Sequence, residues 1–423
     1  MNRTWIFAVL ICGWCWTGAP MFAAELVRVD GRFIELTTDL ESRDEADALV
    51  ASFDAAVDQW TSFWNLSSDS VADWKVSAMV MRDKSHFAAE GLIPDHVPDF
   101  PYGYAYNDSV WVMAQPSQYY TRHLLLHEGV HSLAFHCFDG AGPTWFMEGT
   151  AELLATHTGD GKLIRTITVP TDRDDVPYWG RFKKLNQVRT DGSVPPIETV
   201  MAYPPTLSGD VETYTLSWAA ASLFAGYPEY RETFESAVQS GRDSGPTFNR
   251  QFYSRLSKTW PIVAARWRIL ANDFDFGFDW EQQRLSISTS DPLWDGKPIK
   301  FSVRSDVGWQ SPGIRIPAGA SVKIEATGQV TLADEPKPWI SEPPGVTIDY
   351  VGGRPLGQLI ACVLPNQTPR EGNLPPLMVQ TVGNDSVIEV ESHSWLLFKV
   401  NDAVGDLGNN RGTYELTILS PPR

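Results

Sequence analysis

The stretch Leu124 to Ala155 carries His127-Glu128-Gly129-Val130-His131 inside a strongly apolar run. On an α-helix, positions i and i+4 share a face one turn apart. His127 and His131 can then offer two imidazoles to one ion, and Glu128 sits beside the first of them. Leu124, Leu125, Leu126, Val130, Leu133 and Ala134 make the other faces apolar, which predicts a buried helix. Two His at this spacing with an adjacent Glu are the residues that hold zinc and activate a water in zinc hydrolases.

Sixteen residues separate His131 from Glu148, which lies in Trp145-Phe146-Met147-Glu148-Gly149-Thr150-Ala151-Glu152. Pro143 and Thr144 mark the start of a second helix. Glu148 is the candidate third ligand. Glu152 lies one turn on, placed to accept a hydrogen bond from a ligand imidazole. Three protein ligands leave a fourth position for water, as at a catalytic zinc. A later helix, Val211 to Leu223, opens with Tyr214-Thr215-Leu216-Ser217-Trp218-Ala219.

These segments resemble the active site of gluzincin metallopeptidases, most closely the peptidase MA-like group, with aminopeptidase N more distant. The resemblance rests on HEGVH, PTWFMEGTAE and the Tyr214 segment. It implies His127, His131 and Glu148 as Zn²⁺ ligands, Glu128 as general base and Tyr214 as the oxyanion donor. It also implies a peptide or protein substrate. The interval from His131 to Glu148 is slightly shorter than in the aminopeptidases. In the family the strand before the H-E-x-x-H helix is an edge that pairs with the substrate backbone. Carried over, that role falls on Ser109, Val110, Trp111, Val112 and Met113; an ordinary sheet strand is the other reading. The Gly-x-Met-Glu-Asn type element that grips a free amino terminus in aminopeptidases is missing from the preceding stretch.

A chain of 423 residues exceeds one typical core, so two or three domains are expected. The formal charge of -18 argues against nucleic acid and anionic membrane surfaces. Arg3, the apolar run Trp5 to Trp16, and Pro20 with Ala23-Ala24 read as a signal peptide over residues 1–24. The mature chain is then exported, periplasmic or secreted, with no stable membrane span once the leader is cleaved. Cys137 and Cys362 remain, too few for a disulfide framework.

Val27 to Thr38 predicts a hairpin turning at Asp30-Gly31. Ser42 to Trp64 predicts a helix, with Ser42 and Glu45 as a capping pair. Trp74 to Met81 and Ser109 to Met113 predict strands. Glu90 to Tyr106, rich in Pro and Gly, predicts loop. Leu163 to Val169 reads as a hairpin arm. Tyr178 to Val188, Ile197 to Tyr203, Glu229 to Val238, Thr247 to Leu256 and Trp260 to Asn272 predict helices. The expected fold class is an α+β, zincin-like metallopeptidase domain over residues 25–284, with a mixed sheet and a helical half, followed by an all-β sandwich over 285–423.

In that second domain, Asn401 to Gly412 (NDAVGDLGNNRG) packs hard oxygen donors into a Gly-rich loop, which suits Ca²⁺. The loop resembles the calcium loop of the bacterial PA-I type galactophilic lectins, more weakly back through Gly308 to Gly313 and Ala318 to Val322. The resemblance implies Asp402, Asp406, Asn409 and Asn410 as Ca²⁺ ligands and glycans or glycoproteins as partners. The sugar-contacting His of those lectins has no counterpart: Ser341 or Glu342 stands there. Two functions stay open on sequence: a peptidase with a calcium-dependent, carbohydrate-directed module, and a glycan-binding or cell-envelope protein whose zincin domain is inactive.

Overall fold

The computed structural model describes residues 25–335 and 337–422. The leader read over 1–24 lies outside the described residues. Asp30-Gly31 turns β1 (Val27–Asp30) back onto β2 (Ile34–Thr38) as an antiparallel pair. The Ser42 hydroxyl accepts from the Glu45 amide and caps α1 (Arg43–Phe63), satisfying an N–H the helix cannot. Leu49, Phe53, Val57 and Trp60 form its buried stripe. Helix α1 returns the chain to β3 (Val76–Met81), which pairs parallel with β2, as a helical crossover allows. After α2 (Lys84–Ala89) come β4 (Gly103–Tyr106) and β5 (Ser109–Met113), a hairpin closed by Asn107-Asp108 with Asn107 left-handed at φ 49°.

The sheet order is β1-β2-β3-β5-β4. Ser109–Met113 is therefore no edge. It pairs parallel with β3 on one side and antiparallel with β4 on the other. Its backbone groups are used on both sides, so it cannot receive another strand. The edge is β4, within the stretch expected to be loop. Edge strands are short and tolerate flanking Pro and Gly, which hid this one.

Helices α3 (Gln118–Phe138) and α4 (Thr144–Ala155) follow. The expected arm at Leu163 to Val169 shrinks to β7 (Arg165–Thr166), paired with β6 (His157–Thr158), because 161–163 close into a 3-10 turn. The helical half continues with α5 (Arg181–Thr190), α6 (Ile197–Met201), α7 (Val211–Gly226), α8 (Pro228–Ala237), α9 (Pro246–Leu256), α10 (Trp260–Asp273) and α11 (Trp280–Gln283). No helix among the described residues is long and apolar enough to cross a membrane.

Beyond α11 the chain is β-rich. One antiparallel sheet contains β8 (Ile299–Arg304), β10 (Ala320–Thr331), β11 (Ile340–Ser341), β16 (Asp385–Val390) and β18 (Arg411–Leu419). The other contains β9 (Arg315–Ile316), β14 (Leu359–Pro365), β15 (Met378–Thr381) and β17 (Ser394–Val400). A separate hairpin, β12 (Val346–Val351) with β13 (Arg354–Leu356), had no sequence signal of its own. Residues of both large sheets share one apolar cluster. Strands β14 and β17 are buried on both faces, which explains their unbroken apolar runs. Leu359, Ala361 and Val363 face that shared cluster. Ile360, Cys362 and Leu364 instead join Ile262, Ala265 and Ile269 of α10 in a second cluster. The second sheet thus packs against the helical half.

Candidate metal centre

Helix α3 places His127 and His131 one turn apart, and α4 brings up Glu148 from the facing helix. Two glycines set these approaches. A Cβ on Gly129, between the two His, would collide with the Phe53 ring of α1. A Cβ on Gly149 would collide with the Ser217 carbonyl of α7. Helix α4 therefore lies backbone to backbone against α7, and this contact fixes Tyr214 relative to Glu148.

His127 Nε2 and His131 Nε2 are 3.1 Å apart. Glu148 Oε2 lies 3.2 Å from the first and 3.4 Å from the second. A tetrahedral ion with bonds near 2.0–2.1 Å spaces its ligand atoms by about 3.3 Å. The triangle therefore fits such an ion, and these buried His and Glu groups could hold a metal. His131 Nδ1 is buried with no hydrogen-bond partner. The second oxygen of Glu148 accepts from the Ser208 hydroxyl, which fixes the carboxylate plane.

Behind His127 lies a second cluster. Glu152 Oε1 is 3.2 Å from His127 Nδ1, on the side expected of an orienting carboxylate, though outside hydrogen-bond geometry. Arg181 of α5 grips both Glu152 oxygens, Nε at 2.9 Å and Nη2 at 2.8 Å. His123 Nε2 approaches Glu152 Oε2 at 3.3 Å. His123, His127 and Glu152 also have metal-ligand spacing. The Arg181 guanidinium already supplies a cation to that carboxylate, so the His127, His131, Glu148 triad is the better site.

Electrostatics follow the geometry. Burial raises the Glu148 carboxyl, but the two imidazoles outweigh it and hold it well below the usual range. Burial lowers His127, but Glu148 and Glu152 outweigh it and push the imidazole up to about 10. Burial opposes the Glu152 carboxylate, yet Arg181 keeps it ionised. Burial lifts Glu128 above the ordinary carboxylate value against the pull of His127 and His131.

A cavity of about 450 Å³ opens onto His127, Glu128 and Tyr214. The Tyr214 ring stands edge-on to His127, centroids 5.7 Å apart. Burial raises its hydroxyl pKa, so it stays protonated and able to donate. Gly103 of β4 lies over Glu128; a Cβ there would sit 2.5 Å from Oε1. The free strand edge thus borders the carboxylate. Ser109, Val110, Trp111, Val112 and Met113 are one strand further in. Arg181 and Ser208 had no sequence signal beyond the rule that a buried carboxylate needs a partner.

The Asn401 to Gly412 loop is arranged differently. Asp402 and Asn410 are buried together, with Asn410 Nδ2 donating to Asp402 Oδ2 at 2.9 Å. Asn410 Oδ1 is buried with no partner, and burial lifts the Asp402 carboxyl above its usual value. An oxygen without a donor beside a carboxylate fits a hard cation. The Asp406 and Asn409 side chains are exposed. The loop is docked on the helical half: Gln283 Nε2 donates to the Val404 carbonyl at 3.2 Å, and Gly405 abuts Gly277.

No family model matches the chain, and no curated protein matches it. Three solved structures show limited likeness. A PllA-like lectin, the EclA N-terminal domain, is 20% identical over 29% of this chain and 95% of its own, with a TM-score of 0.21. A functionally unknown conserved protein from Bacillus anthracis is 10% identical over 70% of this chain and 68% of its own, at 0.26. The IMPa metallopeptidase from Pseudomonas aeruginosa is 12% identical over 72% of this chain and 29% of its own, at 0.17. None of these scores implies a shared overall fold, so the chemistry of the site rests on its own geometry.

Proposed function

We propose that the chain is an exported, zinc-dependent peptidase of the gluzincin type, with residues 25–284 as the catalytic domain. One observation carries this reading: three ligand atoms converge at metal-binding separations, and one of the three, on His127, lines together with the buried Glu128 a cavity bordered by the edge strand β4. His127, His131 and Glu148 would hold the ion. Bound zinc supplies Lewis acidity to the reacting carbonyl and lowers the pKa of water. The protein's own groups do the rest. β4 pairs with an extended substrate backbone and lays the scissile bond over Glu128. Glu128 takes a proton from the attacking water and returns it to the leaving amine. The Tyr214 hydroxyl donates to the oxygen that gains charge. Glu152, steadied by Arg181, orients His127.

Residues 285–423 form, in this proposal, a Ca²⁺-binding sandwich around Asp402 and Asn410. The second reading is a glycan-binding or cell-envelope protein with an inactive first domain. The unpartnered Asn410 oxygen favours a cation in that loop under either reading. The test is metal analysis of the purified chain, with turnover of an unstructured protein by wild type and Glu128→Gln. One zinc per chain, and turnover lost in the variant with zinc retained, supports the peptidase. Zinc without turnover in the wild type, with Ca²⁺-dependent binding on a glycan array, supports the alternative.

A further inference from the structure

The lining of this cavity contains an anomaly. Residues 177–181 are pinned at both ends. The Ser117 hydroxyl donates to the Pro177 carbonyl at 2.9 Å, and Arg181 is clamped on Glu152. Between these anchors the Trp179 ring is driven into the core, edge-on to Trp218 with centroids 4.8 Å apart. Tyr178 is left outside. Its φ is +71°, a left-handed conformation that disfavours a bulky side chain, and the residue is 66% exposed while lining the cavity. Gly or Asn would hold this backbone with less strain. Nothing in the fold buries the ring, so packing does not account for it. Strain of this kind gathers where a ligand is handled.

Tyr102 also lines the cavity and is 49% exposed. Its backbone is fixed, since the Met113 amide donates to the Tyr102 carbonyl at 2.7 Å. Two exposed tyrosines thus line the cavity that holds Glu128, one directly preceding β4 and one in the pinned segment 177–181. Among the described lining residues Arg181 is the one guanidinium, and Glu152 occupies it. No Lys or Arg is free there to receive a carboxylate or phosphate, and two Glu line the same cavity.

We propose that Tyr178, with Tyr102 in the same cavity, determines specificity by stacking on a bulky apolar side chain, preferably aromatic, next to the scissile bond of a peptide extended along β4. This rests on the peptidase reading. Two peptides identical except for Phe or Ala at the residue flanking the cleaved bond test it. Their kcat/KM values are compared in wild type, Tyr178→Ala, Tyr178→Phe and Tyr178→Gly.

Wild type should favour the Phe peptide by about tenfold or more. Tyr178→Ala and Tyr178→Gly should bring that ratio towards one, chiefly through KM, while Tyr178→Phe keeps it. Tyr178→Gly should also raise the melting temperature by releasing the strained φ. A ratio unchanged in Tyr178→Ala overturns the proposal, as does equal loss on both peptides. Preference for a peptide bearing a glycosylated Ser or Thr over the Phe peptide overturns the aromatic occupant. If neither peptide is cleaved, the peptidase reading fails separately. Binding of the same peptides, followed by tryptophan fluorescence, then decides: a Phe preference lost in Tyr178→Ala upholds the stacking role, and no preference overturns it.

Discussion

Two places in this molecule bring oxygen and nitrogen donors together, and they do it by different means. Between α3 and α4 the backbone sets every ligand direction before any ion arrives. His127 and His131 share a helix face, Glu148 comes from a helix locked by Gly149 against α7, and Ser208 holds its free oxygen. The imidazoles stabilise the carboxylate, so its pKa falls. In the Asn401 to Gly412 loop, Asp402 and Asn410 are buried while Asp406 and Asn409 point outward. There burial outweighs the hydrogen bonds from Asn410 and Ala403, and the carboxyl's pKa rises. Regular secondary structure prepares a site; a loop leaves part of it to be assembled by the ion.

The contrast predicts where substitutions are felt. Glu128→Gln should lower kcat by roughly 10²–10⁴-fold, the usual worth of a general base, with zinc content unchanged. Asp402→Ala should leave turnover intact. Matched effects of the two on kcat, read from single-turnover progress curves, would break the comparison by showing that the loop acts in catalysis. Arg181→Met comes next. It removes both guanidinium bonds to Glu152 and leaves that buried carboxylate only its imidazole neighbours. Zinc affinity should fall about 10–100-fold, the usual cost of losing an orienting partner, measured by competition with a chelator. Unchanged affinity would show that His127 is oriented without Glu152.

Sequence carried some of this further than other parts, for identifiable reasons. The α1 cap at Ser42 was legible because capping is local chemistry. That His127 and His131 share one helix face, and Glu148 and Glu152 another, was legible because helical spacing converts position into direction; that the two helices meet was an expectation from the resemblance alone. Arg181 was not: a buried Glu152 demands a cation, but nothing local says which Arg, 29 residues on, will supply it. Strand β4 was missed because an edge needs little patterning, and its hairpin turn is Asn-Asp, not Asn-Gly. The docking of the loop on Gly277 and Gln283 was hidden too, since each partner is an unremarkable polar or small residue. The double burial of β14 and β17 showed as apolar runs whose second partner, α10, sequence did not name.

Calcium sharpens the comparison at the next scale down. At a hundred times its Kd, Ca²⁺ should stabilise the full chain by about 2.7 kcal/mol, seen as a higher melting temperature that EGTA reverses. Asp402→Ala should remove the response, because it takes away the buried carboxylate. A persisting response would move the ion elsewhere.

The smallest effect tests whether the loop belongs to one half or joins two. Gln283→Ala deletes the bond to the Val404 carbonyl and should cost about 0.5–1.5 kcal/mol, a typical single hydrogen bond, by calorimetry. If the loop serves the sheets alone, that loss will be the same with and without Ca²⁺. If ion binding tightens the joint, the loss grows when Ca²⁺ is present, since the bond then restrains an ordered carbonyl. Because Val404 sits two residues from Asp402, the second outcome is expected. It would mean that the loop, unlike the preformed helical site, uses its ion to hold the sheets against the half that carries Glu128.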